Sequence, residues 1–271
     1  SYSAENVPYK PKRSLNISLD GVKENDFTMI FGFPGRTTQY LHSAAVKQIM
    51  DVLDPAKIAI REKALTVIDG FMRKDEGIKI KYAAKYASIQ NAYKKWQGEV
   101  LGLRSKDAVG KKKQLEALFE KIVLAKPEMT AVYLNLLKKL EEAYAEIEPY
   151  ALARDYFVET VLRNTELLSV GFRLYQLEQV YKARGEQAFT DRKNNLSNGI
   201  VDFYKDYNAM VDKNVFEQLI AIYAKRLPSQ FLPNELNNLN ASKLTNDIYT
   251  NTKLTKLEDF RSLLEGDSKT V

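Results

Sequence analysis

Few residues in this sequence have the types and spacing needed for catalysis. The chain contains one histidine, His42, and no cysteine among 271 residues. The lack of cysteine excludes zinc–thiolate sites, disulfides and cysteine nucleophiles, and a single histidine excludes a multi-histidine metal site. A Ser–His–Asp triad would require His42, yet the chain has no glycine-framed serine. We therefore predict no catalytic residue, no metal and no cofactor here, and a structural or surface role for His42.

Two further groups of residues resemble catalytic or binding motifs only superficially. Acidic residues such as Glu141, Glu142 and Glu178 lie in amphipathic patterns, so they are predicted to face solvent, and nothing favours a glycosidase-like carboxylate pair. The segment GFPGRTT at 32–38 contains glycine but lacks the Gly-Lys-Ser/Thr ending of a phosphate-binding loop. We interpret it as a tight turn.

The segment at 78–101 combines an aromatic stripe with a small polar face. At about 100° per residue, its large apolar side chains fall within roughly 80° of one another, which predicts that they face a core. They are Tyr82, Tyr86, Ile89, Tyr93, Trp96 and Val100. The opposite face carries Ala84, Ala87, Ser88, Asn91 and Lys95. Periodicity alone leaves two interpretations of this face open: solvent exposure, or a binding site at which the Asn91 amide meets a polar group.

The composition is that of a globular protein with long regular elements. Hydrophobic residues make up 45% and charged residues 28% of the chain, with only 12 glycines and 8 prolines. The net charge of +6 arises from 41 basic and 35 acidic residues that are interspersed, and no nucleic-acid-binding module is present. No run of 18 apolar residues occurs, so no membrane span is predicted.

Two short strands are predicted before the helical part of the chain. Residues Leu15–Leu19 alternate between apolar and polar, and Phe27–Phe33 form a short apolar run rich in aromatic residues. Asp20-Gly21 is a turn signal between them. Because two short strands cannot form a stable sheet alone, they would belong to the end of a larger β-domain.

From about residue 43 the apolar period becomes 3.6 and indicates helices to the end of the chain. Asp54-Pro55 predicts a helix start, with Asp54 as the N-cap. A helix from Glu128 to about residue 147 is expected to end before Pro149, and Gly185 is predicted to end another. The expected fold is mainly α, an antiparallel multi-helix array or bundle preceded by a short β-segment.

Several segments, in collinear order over most of the chain, resemble the bacterial dipeptidyl-peptidase 7 and 11 family of serine peptidases (serine peptidase family 46). They are VPYKPK at 7–12, ISLDGVKENDFTMIFGFPGRTTQYL at 17–41, IREKAL and IKIKYAAKYASIQNAYKKWQGE within 60–99, and FYKDYNAMVDKNVFEQLIAIYAKRLPSQFLP at 203–233. The GFPGRT and YASxxNxYK segments are the most specific of these.

The resemblance implies a domain organisation. In this family a chymotrypsin-like double β-barrel carries the Ser–His–Asp triad, and a helical domain inserted between the triad Asp and Ser caps the cleft. Residues 1–42 would then be the terminal strands of the barrel and a linker, and residues 43–271 the helical cap or regulatory domain. The triad would lie outside this chain, which agrees with its abrupt start at SYSAENVPYK. His42 does not match the family's catalytic histidine, and the chain alone is predicted to be inactive.

The resemblance also implies one functional residue. The asparagine of the family's YASxxN motif helps hold the substrate's free α-amino group and matches Asn91, with Ser88 as a supporting residue. The family often has Asn-Tyr-Trp here, whereas this chain has Asn91-Ala92-Tyr93, which affects the neighbouring packing more than the asparagine. The implied partners are a peptide substrate and the missing β-barrel, and the implied location is periplasmic or secreted. No nucleic acid is expected, and pairing with a second copy through exposed strand edges remains open.

The sequence leaves two other functions open. The chain could be a free-standing helical module that binds a peptide or protein without catalysis, or a helical scaffold without a ligand. The orphan strands and the Asn91 motif favour the peptidase cap, because a free-standing module would not need half a β-sheet at its start.

Overall fold

The computed structural model describes residues 7–29, 31–32 and 38–265. The chain divides into two units, Ser1–Tyr40 and Leu41–Val271.

The described part of the first unit contains no strand. The predicted strand Leu15–Leu19 is unpaired and exposed, with Leu15 94% accessible. The same holds for residues 27–29 and 31–32 of the predicted strand Phe27–Phe33, and its remaining residues lie outside the described part. The structure therefore shows neither predicted strand among these residues, because a strand needs a hydrogen-bonding neighbour and the described part of this unit contains none. Most of the predicted GFPGRTT turn also lies outside the described residues.

The second unit is mainly helical over its described length. Its α-helices are α1 (Ser43–Gln48), α2 (Asp54–Met72), α3 (Glu76–Ser105), α4 (Ala108–Leu124), α5 (Pro127–Tyr133), α6 (Leu136–Phe157), α7 (Glu166–Asp206), α8 (Ala209–Arg226), α9 (Ala241–Asn251) and α10 (Leu257–Leu264). Two π-helical segments, Ile49–Leu53 and Val158–Asn164, join α1 to α2 and extend α6. The mainly helical fold class is confirmed.

The start of α2 differs from the prediction. Asp54 is not an N-cap, because the π-helical segment before it is already helical and the chain continues through it without a break. Its carboxylate instead lies 2.8 Å from the Lys57 Nζ atom. The chain breaks after α2, and Asp75 caps α3 by accepting a hydrogen bond from the Ile78 amide at 2.9 Å.

The helix predicted from Glu128 to about residue 147 is broken earlier and ends later than expected. The break is at Asn135, which adopts the left-handed conformation (φ 65°) that asparagine tolerates better than most residues. Beyond it, α6 runs through Pro149 to Phe157. Because Ala151 and Tyr156 after the proline are buried, the packing of this half of α6 outweighs the hydrogen bond that proline removes.

The long helix α7 bends at Gly185. This glycine has φ 78° and ψ −172°, which is outside the helical region. The predicted helix ending at Gly185 is therefore confirmed as a break in direction, with helical residues on both sides. The next break lies at residues 207–208, where the Asn208 side chain caps α8 by accepting from the amides of Met210 and Val211.

Two hydrophobic cores lie within the described residues of the helical unit. The first contains apolar side chains from α2, α3, α6 and α8, including Ile60, Tyr82, Tyr156 and Leu219. The second joins the two arms of α7 to α10. The predicted core-facing stripe of α3 is confirmed, with Tyr82 and Ile89 buried and the other four residues half-buried.

Candidate functional site

The small face of α3 is exposed, as predicted from its position opposite the aromatic stripe. Ala84, Ala87, Ser88, Asn91 and Lys95 are all accessible. The side chain of Asn91 therefore points away from the core while its helix is fixed by the buried stripe behind it. An amide in this position can accept and donate hydrogen bonds.

A cavity of about 460 Å³ opens beside this face. Ala84, Lys85 and Ser88 line it from α3. Asn91 lies one helical turn beyond Ser88 and outside the lining. The opposite wall comes from the second π-helical segment, α7 and α8, and includes Arg163, Asn164, Glu166, Ser169, Arg173 and Asp212.

Glu166, at the start of α7, forms a hydrogen bond and an ion pair with residues of α3 across the cavity. Its carboxylate accepts a hydrogen bond from the Tyr82 hydroxyl at 2.7 Å and forms an ion pair with Lys85. Lys85 also donates to the Asp206 carbonyl at 2.8 Å. Burial and the neighbouring Glu166 charge raise the pKa of Tyr82, so its hydroxyl remains a donor. These contacts hold both ends of α7 against one face of α3.

Asp212 of α8 caps α7 from another element. Its carboxylate accepts from the amides of Glu166 and Leu167 at 2.7 and 2.9 Å and from the Tyr249 hydroxyl at 2.7 Å. Burial, followed by the negative charge of Glu166, raises the pKa of Asp212 to about 7, against the lowering effect of its hydrogen bonds. Through its hydrogen bonds to the first amides of α7, Asp212 fixes the position of this part of the cavity wall.

A second buried network lies behind the Asn91 segment. Arg61 of α2 donates from Nε and Nη2 to the two carboxylate oxygens of Glu159 at 2.6 and 3.1 Å. Its Nη1 donates to the Ile89 carbonyl of α3 at 3.1 Å. Asn164 donates to Glu159 Oε2 at 3.1 Å and to the Glu159 carbonyl at 2.6 Å. Arg61, Glu159 and Asn164 are all buried, so each charge is paired as burial requires.

The single histidine of the chain is not among the residues that line this cavity. His42 begins α1, where its Nδ1 accepts from the Ala44 amide at 3.1 Å, and its ring stacks near Tyr144. No cluster of metal-binding side chains occurs in the described part of the chain. None of the helices in that part is both long and apolar enough to cross a membrane. The predicted structural role of His42 agrees with its position as a helix cap.

Sequence reasoning missed Arg61, Glu159, Glu166 and Asp212. For two of these residues, the sequence contains a pattern that indicates burial. Arg61 occurs between buried apolar residues of α2, and Asp212 occurs between Val211 and Val215 of α8. A charged residue within an apolar helical stripe indicates a buried partner. The identity of that partner is not encoded locally, because Arg61 and Glu159 are 98 residues apart.

Comparison with known proteins bears directly on the family. The sequence model of the family described as Peptidase S46 matches residues 1–271. An Asp/Glu-specific dipeptidyl-peptidase from Flavobacterium psychrophilum is 53% identical to this chain over all 271 residues. The matched region is 38% of that protein's length. A dipeptidyl-peptidase 7 from Porphyromonas gingivalis is 30% identical to this chain. The match covers 91% of this chain and 33% of that protein.

Solved structures agree with this relationship. The crystal structure of Porphyromonas endodontalis DPP11 in complex with the dipeptide Arg-Glu matches 98% of this chain with a TM-score of 0.67 and 25% sequence identity. The match covers 38% of that protein. The resemblance found in the sequence is confirmed, and the chain belongs to the peptidase S46 family.

Proposed function

We propose that this chain is the helical cap of a bacterial serine-type dipeptidyl peptidase, which releases dipeptides from peptide N-termini. In this proposal Asn91 helps bind the α-amino group of the substrate, and residues 1–42 complete a β-barrel that carries the catalytic triad. The observation that carries the proposal is the exposed Asn91 amide on a rigid helix beside a cavity, in a chain of this family.

The relatives support the role of a part within a larger enzyme. The chain spans 38% of the length of the Flavobacterium psychrophilum relative, which is named a dipeptidyl-peptidase. The described residues of the first unit expose an alternating apolar set, Leu15, Ile17 and Leu19, each at least 87% accessible. Such a pattern is typical of a strand with one buried face. We infer that this segment pairs with barrel strands in the complete enzyme.

The chemistry of Asn91 suits a substrate ammonium group. An amide oxygen is a good acceptor for N–H donors of an ammonium, and acidic groups of the barrel would supply the compensating charge. The helix backbone that carries Asn91 is held against the core, because Tyr82 and Ile89 on the same helix are buried. Ser88, one turn earlier and lining the cavity, supports the same site in this proposal.

In the proposed mechanism, the cap determines that cleavage occurs after the second residue of the peptide. Closure of the cap over the barrel would place the ammonium at Asn91 and the second peptide bond at the barrel serine. The serine then attacks, and acylation and deacylation follow the usual triad steps. Binding at Asn91 contributes by orientation, since it fixes which peptide bond reaches the nucleophile.

Substitution of Asn91 in the full-length enzyme tests this role. A hydrogen bond to a charged group contributes about 1.5–3 kcal/mol, so Asn91→Ala should lower kcat/KM by about one to two orders of magnitude. Gln97→Ala is the matched control, because it removes an exposed amide from another face of the same helix. Equal kcat/KM values for Asn91→Ala and the wild type would refute the assignment.

The same proposal makes this chain inactive by itself and places the enzyme in the periplasm or outside the cell. Measurable hydrolysis of dipeptide reporters by the chain alone would contradict it. If the full-length enzyme binds peptides but cleaves none, the chain is a peptide-binding module instead.

A further inference from the structure

We propose that Arg61 is a positioning residue for Asn91. Its guanidinium fixes the axial position and the rotation of the α3 segment that carries the Asn91 side chain. The inference rests on the proposed function of Asn91 and adds a second residue to that site. Arg61 belongs to the IREKAL segment, which the proposed function does not use.

Arg61 contacts α3 at one residue before Asn91 in the sequence and at one residue after it. Its Nη1 donates to the carbonyl of Ile89, two residues before Asn91, at 3.1 Å. Its Cζ lies 4.7 Å from the ring centre of Trp96, five residues after Asn91. A carbonyl oxygen has two lone pairs and can accept this bond in addition to its helical one. Two contacts on one rigid helix set both its axial position and its rotation.

The guanidinium is itself held in place. Glu159 binds it through two hydrogen bonds at 2.6 and 3.1 Å, and Asn164 donates to one of the same carboxylate oxygens. Glu159 and Asn164 belong to the second π-helical segment, and Asn164 also lines the cavity. Arg61 therefore links the α3 segment that carries Asn91 to the wall on the other side of the cavity.

The fork geometry of arginine is needed for this arrangement. Arg61 makes three directed hydrogen bonds and a face contact with an aromatic ring at the same time. Lysine offers a point charge on a flexible stem and cannot reproduce the planar fork. Arg61→Lys therefore keeps the buried positive charge beside Glu159 but loses the simultaneous bond to the Ile89 carbonyl of α3.

The test is the discrimination between free and blocked substrates by the full-length enzyme. Discrimination is the ratio of kcat/KM for a dipeptide reporter with a free α-amino group to kcat/KM for its N-acetylated form. Arg61→Lys should reduce this ratio by about tenfold, since a displaced Asn91 loses its bond to the ammonium. Arg73→Lys is the matched control, because Arg73 follows the same helix and forms an exposed ion pair with Asp69. It should leave the ratio unchanged.

A double substitution separates positioning from general damage. If Arg61 acts through Asn91, then Arg61→Lys should cause no further loss of discrimination in an Asn91→Ala enzyme. Should Arg61→Lys fold poorly, Arg61→Met with Glu159→Gln removes both charges together and gives the same comparison. Full discrimination by the Arg61 variants, or an additive loss in the Asn91→Ala background, would overturn the inference. Unchanged discrimination in Asn91→Ala alone would instead overturn the proposed function.

Discussion

At the scale of single residues, the site divides into exposed groups on α3 and buried groups that hold its helices together. Asn91 and Ser88 are exposed, so their substitution changes little of the fold. Asp212 and Arg61 are buried and hydrogen-bonded to neighbouring helices, so their substitution also affects packing. Kinetic effects at exposed positions can therefore be interpreted directly, whereas effects at buried positions require a stability measurement as well.

Ser88 should contribute less than Asn91. In our account its hydroxyl supports the site without replacing the amide, so Ser88→Ala should change kcat/KM by less than about threefold. Ser88→Leu, which places an apolar side chain in the cavity mouth, should raise KM with an unchanged unfolding temperature. Steady-state kinetics on one dipeptide reporter measures both, and a greater loss in Ser88→Ala than in Asn91→Ala would exchange their roles.

Asp212 predicts a specific pH dependence of stability. Its pKa is raised to about 7 in the folded protein from its ordinary value of 3.8. The folded protein thus keeps a proton that the unfolded chain releases. This stabilising contribution is complete below about pH 4 and is lost as the pH rises to about 7.

The comparison with Asp212→Asn isolates this contribution. Between about pH 5 and about pH 8, the unfolding temperature of the wild type should fall more than that of the variant, because asparagine does not titrate. All other titratable groups occur in both proteins, so the difference between the two curves reports Asp212. Parallel curves would mean that Asp212 does not titrate in this range.

At the scale of elements, periodicity predicted the helices and failed where backbone conformation depends on packing. The apolar pattern indicated the helices α2 and α3, and the glycine itself indicated the break at Gly185. The pattern missed the interior position of Pro149 and the break at Asn135. Both follow from tertiary contacts or from a single left-handed residue, which a 3.6-residue period does not encode.

The exposed face of α3 was predictable, whereas its supports were not. The stripe spacing placed Asn91 opposite Tyr82 and Ile89, and the structure confirms this. The pairs Arg61–Glu159 and Lys85–Glu166 join residues 98 and 81 positions apart. Such pairs depend on how helices pack against one another, so a single sequence contains no spacing rule from which to find them.

Gly185 and Gly199 of α7 should respond oppositely to the same substitution. Gly185 has φ 78° and ψ −172°, a region that alanine avoids, so Gly185→Ala should lower the free energy of unfolding by about 1–3 kcal/mol. Gly199 is helical, and outside its own helix backbone no atom lies within 4 Å of the place that an added Cβ would take. Gly199→Ala should therefore raise the free energy of unfolding by about 0.5–1 kcal/mol. Denaturant titration checks both, and changes of the same sign would contradict this account of the bend.

At the scale of the whole molecule, the first unit presents apolar side chains with no partner among the described residues of its own unit. If they pair with barrel strands in the complete enzyme, the amides of 15–19 should exchange hydrogen slowly there and rapidly in this chain alone. Amides of α2 near Ile60, which is fully buried, should be protected in both and serve as the control. Equally rapid exchange at 15–19 in the full-length enzyme would argue against the barrel assignment.

The most direct test of the central claim is whether Asn91 recognises the substrate amine. Discrimination between free and N-acetylated dipeptide reporters should be measured in the full-length enzyme and in its Asn91→Ala variant. We predict strong discrimination in the wild type and a loss of about one to two orders of magnitude in the variant, confined to the free-amine substrate. Equal losses on both substrates, or none on either, would contradict the claim that Asn91 holds the amine.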